Sequence, residues 1–290
     1  MKQLRIIGVP EHFNYPWRKV VDRQPLRERG IELTWQDESR GSGQMIESLS
    51  EGKADLAILL TESFLKAFEQ GKPLKMIGFH VTSPLIWGIH TGSKSNLEEI
   101  AKVRKPNFLI SRFGSGSHLM ASVLSDRENW SSETIRFQTV NNLEGALEAY
   151  QSDPDALFLW EKYTTKPWVD LGLIKRIGEI PSPWPCFTLV ASRNALRKFE
   201  NELFQIRNLV YQESKKLQKS ESTVAEIAGF YQLKSEDVKA WLSQTTWATD
   251  ELVSISELQS NIKKMINYNI LQKEQKVEDF LIADRLRLIP

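Results

Sequence analysis

An α/β fold of two lobes is the architecture the sequence predicts, on three observations. Short apolar runs alternate with amphipathic helical runs over the first two thirds of the chain, the pattern of a mainly parallel sheet with helices on both faces. A strand, a Gly-Ser-Gly turn and a helix occur twice, in RGSGQMIESL at 40–49 and in RFGSGSHLMASVL at 112–124. After Ser192 the alternation stops and only helical patterns remain.

The strand-like runs lie at 4–9, 31–35, 56–60, 74–79, 85–90, 108–111, 135–140, 156–160 and 187–191. Helical periodicity falls between them at 43–51, 63–70, 97–103, 117–126 and 143–151. The tail continues with helices at 194–219, 223–231, 235–244 and 255–270. Of these, 235–244 opens on Ser-Glu-Asp, acids suited to a first turn, and 255–270 carries an apolar stripe of Leu258, Ile262, Met265, Ile266 and Ile270. Each doubled unit is followed by a strand with an acidic tip, ADLAILLTE at 54–62 and DALFLWE at 155–161. Two α/β lobes offering matched polar loops predict a ligand cleft between them.

Composition narrows the function. The 290 residues are 41% hydrophobic and 26% charged with a net charge of +1, which gives no broad attraction to nucleic acid or to a membrane surface. One cysteine, Cys186, excludes an intrachain disulfide and a multi-cysteine zinc site. No 18-residue apolar stretch is present. Met1 leads directly into the first strand, so the expectation is a cytoplasmic protein, or a periplasmic one if Met1 stands where a leader was removed.

The candidate ligand residues sit where strands end and helices begin. In Gly114-Ser115-Gly116-Ser117-His118 the glycines permit close backbone approach, the serines can cap, and the first N–H groups of the helix point outward at a polar or anionic group. No Gly-Lys-Ser/Thr follows and Leu119 holds the third dinucleotide-glycine position, so neither a P-loop nor a dinucleotide fingerprint is present. Arg112 precedes this turn, as Arg40 precedes Gly41-Ser42-Gly43, and either guanidinium offers a fork for a carboxylate or sulfonate. VPEHFNYPW at 9–17 reads as a loop after the first strand, placing His12 and Asn14 at its carboxyl end, with Phe13 and Trp17 as anchors. Glu62 and Glu161 end strands and can accept from an amine or ring N–H, and Trp160 and Trp184 can stack a planar ligand. Each of these readings has a plain alternative as a structural turn, a solvated charge or a packing aromatic.

Catalysis has little support. His12, His80, His90 and His118 lack metal-site spacing and no G-x-S-x-G elbow occurs. Ser117 and His118 would point about 100° apart on a helix. Cys186 reads as a small buried residue. No catalytic residue, metal or cofactor is expected.

GSGQMIESLSEGKADLAI, LEEIAKVRKPNFLISRFGSGSHLMA, NNLEGALEAYQSDPDALFLWE and YQLKSEDVKAWLSQTTW together resemble the type II periplasmic binding proteins. The resemblance is to the branch of nitrate, taurine and alkanesulfonate binders and thiamine-pyrimidine synthases, over roughly 4–272. It implies two lobes, each a sheet flanked by helices, joined by two hinge crossovers. Lobe one would be 1–88 plus 187–290, with the C-terminal helices packed on it, and lobe two 89–186, a small-molecule ligand closing the hinge. Two features depart from the family. No leader is visible, so a transporter partner is not the expectation, and Cys186 alone cannot reproduce the synthases' cysteine-rich iron motif. The expected function is solute-type binding without catalysis; the alternatives are an enzyme of the thiamine-pyrimidine-precursor type and a ligand-sensing regulator.

Overall fold

The structure, a computed structural model, describes residues 1–290. The chain runs β1 (Lys2–Gly8), α1 (Tyr15–Asp22), β2 (Ile31–Asp37), α2 (Ser42–Ser50), β3 (Leu56–Leu60), α3 (Thr61–Glu69) and β4 (Leu74–Val81). It continues through β5 (Ile86–Gly92), β6 (Asn107–Ile110), α4 (Gly116–Arg127), β7 (Arg136–Thr139), α5 (Leu143–Ala149), β8 (Leu157–Glu161), α6 (Lys166–Asp170) and β9 (Ile174–Pro181). The last stretch is β10 (Phe187–Ser192), α7 (Arg193–Leu217), α8 (Thr223–Tyr231), α9 (Ser235–Leu242), β11 (Leu252–Ser254), α10 (Ile255–Asn267), α11 (Val277–Phe280) and β12 (Arg287–Ile289).

These elements divide into two compact units. Unit 1 holds Met1–Pro84 and Trp184–Pro290, and unit 2 holds Leu85–Pro183. Each is built on a five-stranded sheet, ordered β2-β1-β3-β10-β4 in unit 1 and β7-β6-β8-β5-β9 in unit 2. The two orders correspond strand for strand. In each, one strand runs against its neighbours: β10 is antiparallel to β3 and β4, and β5 is antiparallel to β8 and β9. The alternation of strands and helices implied mainly parallel sheets, and this one reversed strand per sheet corrects it. The reversed strand is the first after each passage of the chain from one unit to the other, so it enters its sheet at the end where the βα strands leave: Phe187 lies beside Leu60, and Ile86 precedes Trp87, which pairs with Glu161.

Apolar residues explain why these strands are central. Ile6, Leu56, Ile58, Met76 and Leu189 are fully or almost fully buried in the unit 1 sheet, which takes helices on its faces as near-continuous apolar strands require. Unit 2 has its own core of Leu109, Phe158, Ala146, Tyr150 and Ala156. After Ser192 the chain is not helical throughout, because β11 and β12 pair in parallel as a separate two-stranded sheet. Their three-residue length leaves no readable alternation. The helix expected over 97–103 shrinks to one 3-10 turn, Ile100–Lys102, and β9 forms an edge strand where none was expected.

Candidate functional site

The carboxyl end of the unit 1 sheet collects the first group of candidates. β1 and β3 are parallel neighbours with Ile7 beside Ala57, so the chain leaves both at the same end. There Thr61 N donates to Cys186 O at 3.0 Å, and Leu60 N donates to Ser42 Oγ at 3.0 Å, tying the starts of α2 and α3 to one corner of the sheet. Gly41 stands at the N-terminal boundary of α2 with φ +79°, a conformation open to glycine at no steric cost.

The segment expected as a loop at 9–17 is instead a 3-10 turn, His12–Asn14, running directly into α1. Two buried donors hold that turn. His80 Nε2 and Trp247 Nε1 each donate to Phe13 O at 2.8 Å, and Trp17 is fully buried below. Asn14 is the N-cap residue of α1 yet makes no side-chain cap bond. The next residues explain it: Pro16 occupies the second helical position and has no N–H to offer. Asn14 Nδ2 donates to Val9 O at 2.8 Å, which fixes the amide orientation and leaves Oδ1 without a partner.

Further buried polar atoms at this end lack partners: His12 Nε2, Thr61 Oγ1 and, in the rings packed on His12, Tyr231 OH and Trp241 Nε1. His12, Asn14 and Thr61 are 3%, 0% and 1% exposed, so water does not satisfy them by simple exposure. The His12 ring meets Trp241 edge-on at 4.2 Å between centroids and lies 5.3 Å from Phe13 and 6.2 Å from Tyr231. That apolar enclosure disfavours the charged ring and holds the His12 pKa at about 3. The imidazole is neutral at physiological pH. Glu62, in the first turn of α3, is buried and accepts a 2.8 Å bond from Trp184 Nε1. Burial pushes its carboxyl up to about 7, against the smaller opposing effect of that bond and a backbone N–H. Arg40 spends its guanidinium on Glu38 through two 2.8 Å bonds, so the fork expected to face a ligand is occupied. Trp184 is buried as a donor to Glu62 rather than presented as a stacking face.

Unit 2 arranges its matching residues differently. Gly114 also has a positive φ, +78°, but the turn around it bonds to itself. Gly114 N donates to His118 Nδ1 at 3.0 Å. Ser115 caps α4, accepting from His118 N at 3.4 Å and donating to Arg112 O at 2.7 Å. Ser117 Oγ accepts from Ser111 N at 3.0 Å and lies 3.0 Å from Ser115 Oγ. Glu161 is buried, its carboxyl pushed up mainly by desolvation, and its Oε2 accepts from the backbone N–H groups of Tyr163 at 2.9 Å and Thr164 at 2.6 Å. Trp160 stacks on Phe158 at 5.3 Å and packs on the unit 2 core. His90 Nδ1 donates to Phe158 O at 3.1 Å, which leaves Nε2 to accept from Thr165 Oγ1 at 2.9 Å. No group of three or more His, Cys, Asp or Glu side chains is placed to hold a metal ion.

A family model described as Ca3427-like PBP matches residues 87–180, within unit 2. Among solved structures, the Candida albicans CA3427 gene product, described as exhibiting the generic periplasmic binding protein structural fold, aligns over 100% of this chain and 99% of its own. The TM-score is 0.86 at 22% identity. The chain has the type II periplasmic-binding-protein fold. This is the resemblance that the sequence motifs carry. The alkanesulfonate-binding protein SsuA from Xanthomonas axonopodis pv. citri, solved bound to MOPS, shares the fold at TM-score 0.75 and 17% identity, covering 97% of this chain and 98% of that one. The periplasmic nitrate-binding protein NrtA from Synechocystis PCC 6803 does so at 0.72 and 12%, covering 98% and 87%. No curated protein is similar enough in sequence to count as a relative.

Within this periplasmic-binding-protein fold, sequence reasoning missed Thr61, Tyr231 and Trp241. Thr61 was overshadowed by the charge of its neighbour Glu62, although a threonine directly after a buried strand is a usual place for a hydroxyl at a helix start. Tyr231 and Trp241 come from α8 and α9, more than 200 residues from His12, and no local pattern announces that contact. No helix of the fold is long and apolar enough to cross a membrane.

Proposed function

We propose that this chain is a solute-binding protein that holds a small polar molecule at the carboxyl end of the unit 1 sheet and performs no chemistry on it. The observation that carries the reading is the group of buried partnerless polar atoms there, on His12, Asn14 and Thr61 and on the Tyr231 and Trp241 rings packed against His12. A buried polar atom without a partner costs about 1–3 kcal/mol. Several gathered around one strand end are best accounted for by a ligand that pairs with them. The fold supports this placement, since open α/β sheets take ligands beyond the carboxyl ends of their strands.

The same reading assigns supporting roles to the remaining candidates. Gly41, Ser42 and Gly43 shape the start of α2, where Ser42 is tied to Leu60. In unit 2, the N–H groups of Gly116 and Ser117 at the start of α4 and the exposed Arg112 guanidinium, which makes no ion pair, are the groups left for a polar ligand. The solved alkanesulfonate- and nitrate-binding neighbours are consistent with a small solute. Extraction of the freshly purified full chain, followed by mass spectrometry, tests the reading. A stoichiometric small molecule is expected; an empty protein that takes up no solute from a metabolite extract would overturn it.

A further inference from the structure

The partnerless polar atoms around His12 lie on two sides of one seam. On one side are His12 Nε2, in the turn before α1, and Arg18 Nε, in α1 itself. On the other are Tyr231 OH, at the end of α8, and Trp241 Nε1, in α9. The seam is closed by rings: Trp241 and Tyr231 stand 4.2 and 6.2 Å from the His12 ring centroid, and the Arg18 guanidinium lies 5.9 Å from the Phe230 ring. All four atoms are nonetheless buried and unpaired. Parting the two sides lets water pair them, which offsets part of the cost of exposing the rings.

α8 and α9 are also held in the manner of a flap. They lie on a stretch of chain that leaves α7 after the buried Leu217 and returns at the buried Trp247, where Gln218 Nε2 donates to Trp247 O at 3.2 Å. Trp247 is anchored to the unit 1 sheet, bridging to Val81, and Ala248 N donates to His80 O at 2.9 Å. Between these fixed points α8 and α9 pack chiefly on each other, joined at Gln232 with φ +54°. They bury Thr223, Ile227, Ala228, Val238 and Trp241, whereas α7 is buried at intervals along its whole length. Sparse burial marks a segment that opens locally at low free energy. A polar latch holds its outer edge: Glu226 Oε2 accepts from Lys19 Nζ at 2.6 Å and from Tyr15 OH at 3.0 Å.

We propose that α8 and α9 form a lid over His12, swinging as one piece from the Gln218–Trp247 neck with Trp241 as its plug. Its purpose rests on the solute-binding reading above. A solute enters when the lid lifts and, by pairing atoms on both sides of the seam, holds it shut.

Hydrogen–deuterium exchange of the full chain, read by mass spectrometry, tests the lid without any solute. The amides of α8 and α9 should exchange together, about tenfold or more faster than those of α7. Glu226→Lys sets a like charge beside Lys19 and should speed α8 and α9 several-fold while leaving α7 unchanged. Tyr231→Phe removes an unpaired hydroxyl and should slow them. Protection of α8 and α9 equal to that of α7, or unchanged or faster exchange in Tyr231→Phe, overturns the lid. The His12→Cys variant in a Cys186→Ala background reports access to the site, with Ellman's reagent as the probe. Its labelling should speed with Glu226→Lys by the same factor as the exchange; labelling indifferent to Glu226→Lys overturns the gating. Neither readout uses a solute, so an empty purified protein would overturn the binding reading alone and leave the lid standing.

Discussion

Units 1 and 2 are the same sheet drawn twice, with corresponding strand orders, yet their strand ends are finished in opposite ways. In unit 2 most of the polar residues close on one another: Ser117 takes Ser111 N, Ser115 takes His118 N, His118 takes Gly114 N, and Glu161 takes two backbone N–H groups, leaving Thr164 Oγ1 as the buried atom without a partner past β8. In unit 1 the equivalent end carries His12, Asn14 and Thr61 with atoms left unpaired in the interior. A closed set of hydrogen bonds adds to stability, whereas an open set is a cost borne by the folded chain until something binds. On the proposed reading, the closed turn of unit 2 is mainly structural and the open polar atoms of unit 1 are there for a ligand.

Charge tests this contrast most strongly. Glu62 has a folded pKa of about 7 against an unfolded value near the ordinary carboxylate range, so the folded state binds more protons between those values. Stability then falls as pH rises through that window, and the penalty is complete above about 7. Glu62→Gln removes it. Relative to wild type, the variant should gain on the order of 2–3 kcal/mol between pH 5 and pH 8 in denaturant unfolding. A pH-independent difference would show that the carboxyl is not desolvated. His12 works in the other direction, since its folded pKa of about 3 lies below the unfolded value. The unfolded state binds the extra proton, and stability falls as pH drops from about 6.5 toward 3. His12→Phe should flatten that acid limb.

Next in size is the closed turn of unit 2. Ser117→Ala strands the buried Ser111 N–H and should cost about 1–3 kcal/mol in urea unfolding. Ser115→Ala loses a helix cap and should cost about 1 kcal/mol. If both variants unfold like wild type but lose solute binding, the contrast between the units is reversed.

Thr61→Val is the counterpart in unit 1. Its hydroxyl has no partner to lose, so stability should hold or rise slightly while solute affinity falls about tenfold, equivalent to about 1.4 kcal/mol. Smallest is Arg40→Ala, which breaks an exposed pair with Glu38 and should leave both melting temperature and affinity unchanged within error. A large loss of affinity there would mean that the guanidinium leaves Glu38 for the ligand.

Much of the architecture was legible in the sequence because it rests on local patterns. The apolar strands, the two Gly-Ser-Gly helix starts and the tail helix Thr223–Tyr231 follow from periodicity and from glycine and serine chemistry. The reversed strands were not legible, since a strand's direction depends on the side from which the chain enters its sheet. β11 and β12 are too short to show alternation, and α1 hides behind Pro16 and a run of aromatics that read as a loop. At the site, the sequence pointed to Gly114–His118 as a set of outward N–H groups. It could not show that Ser115, Ser117 and His118 would bond within their own turn. Asn14 and His12 were visible as candidates, but their lack of partners depends on Pro16, on Trp241 and on burial, all set by the folded arrangement.

The claim that unit 1 holds the solute is tested most directly by native mass spectrometry of the wild type and Thr61→Val, purified in parallel, reading the fraction of molecules that carry a retained small molecule. The account predicts a bound mass on the wild type and a several-fold smaller fraction on Thr61→Val at equal melting temperature. Equal retention by the two proteins, or no bound mass on either, would contradict it.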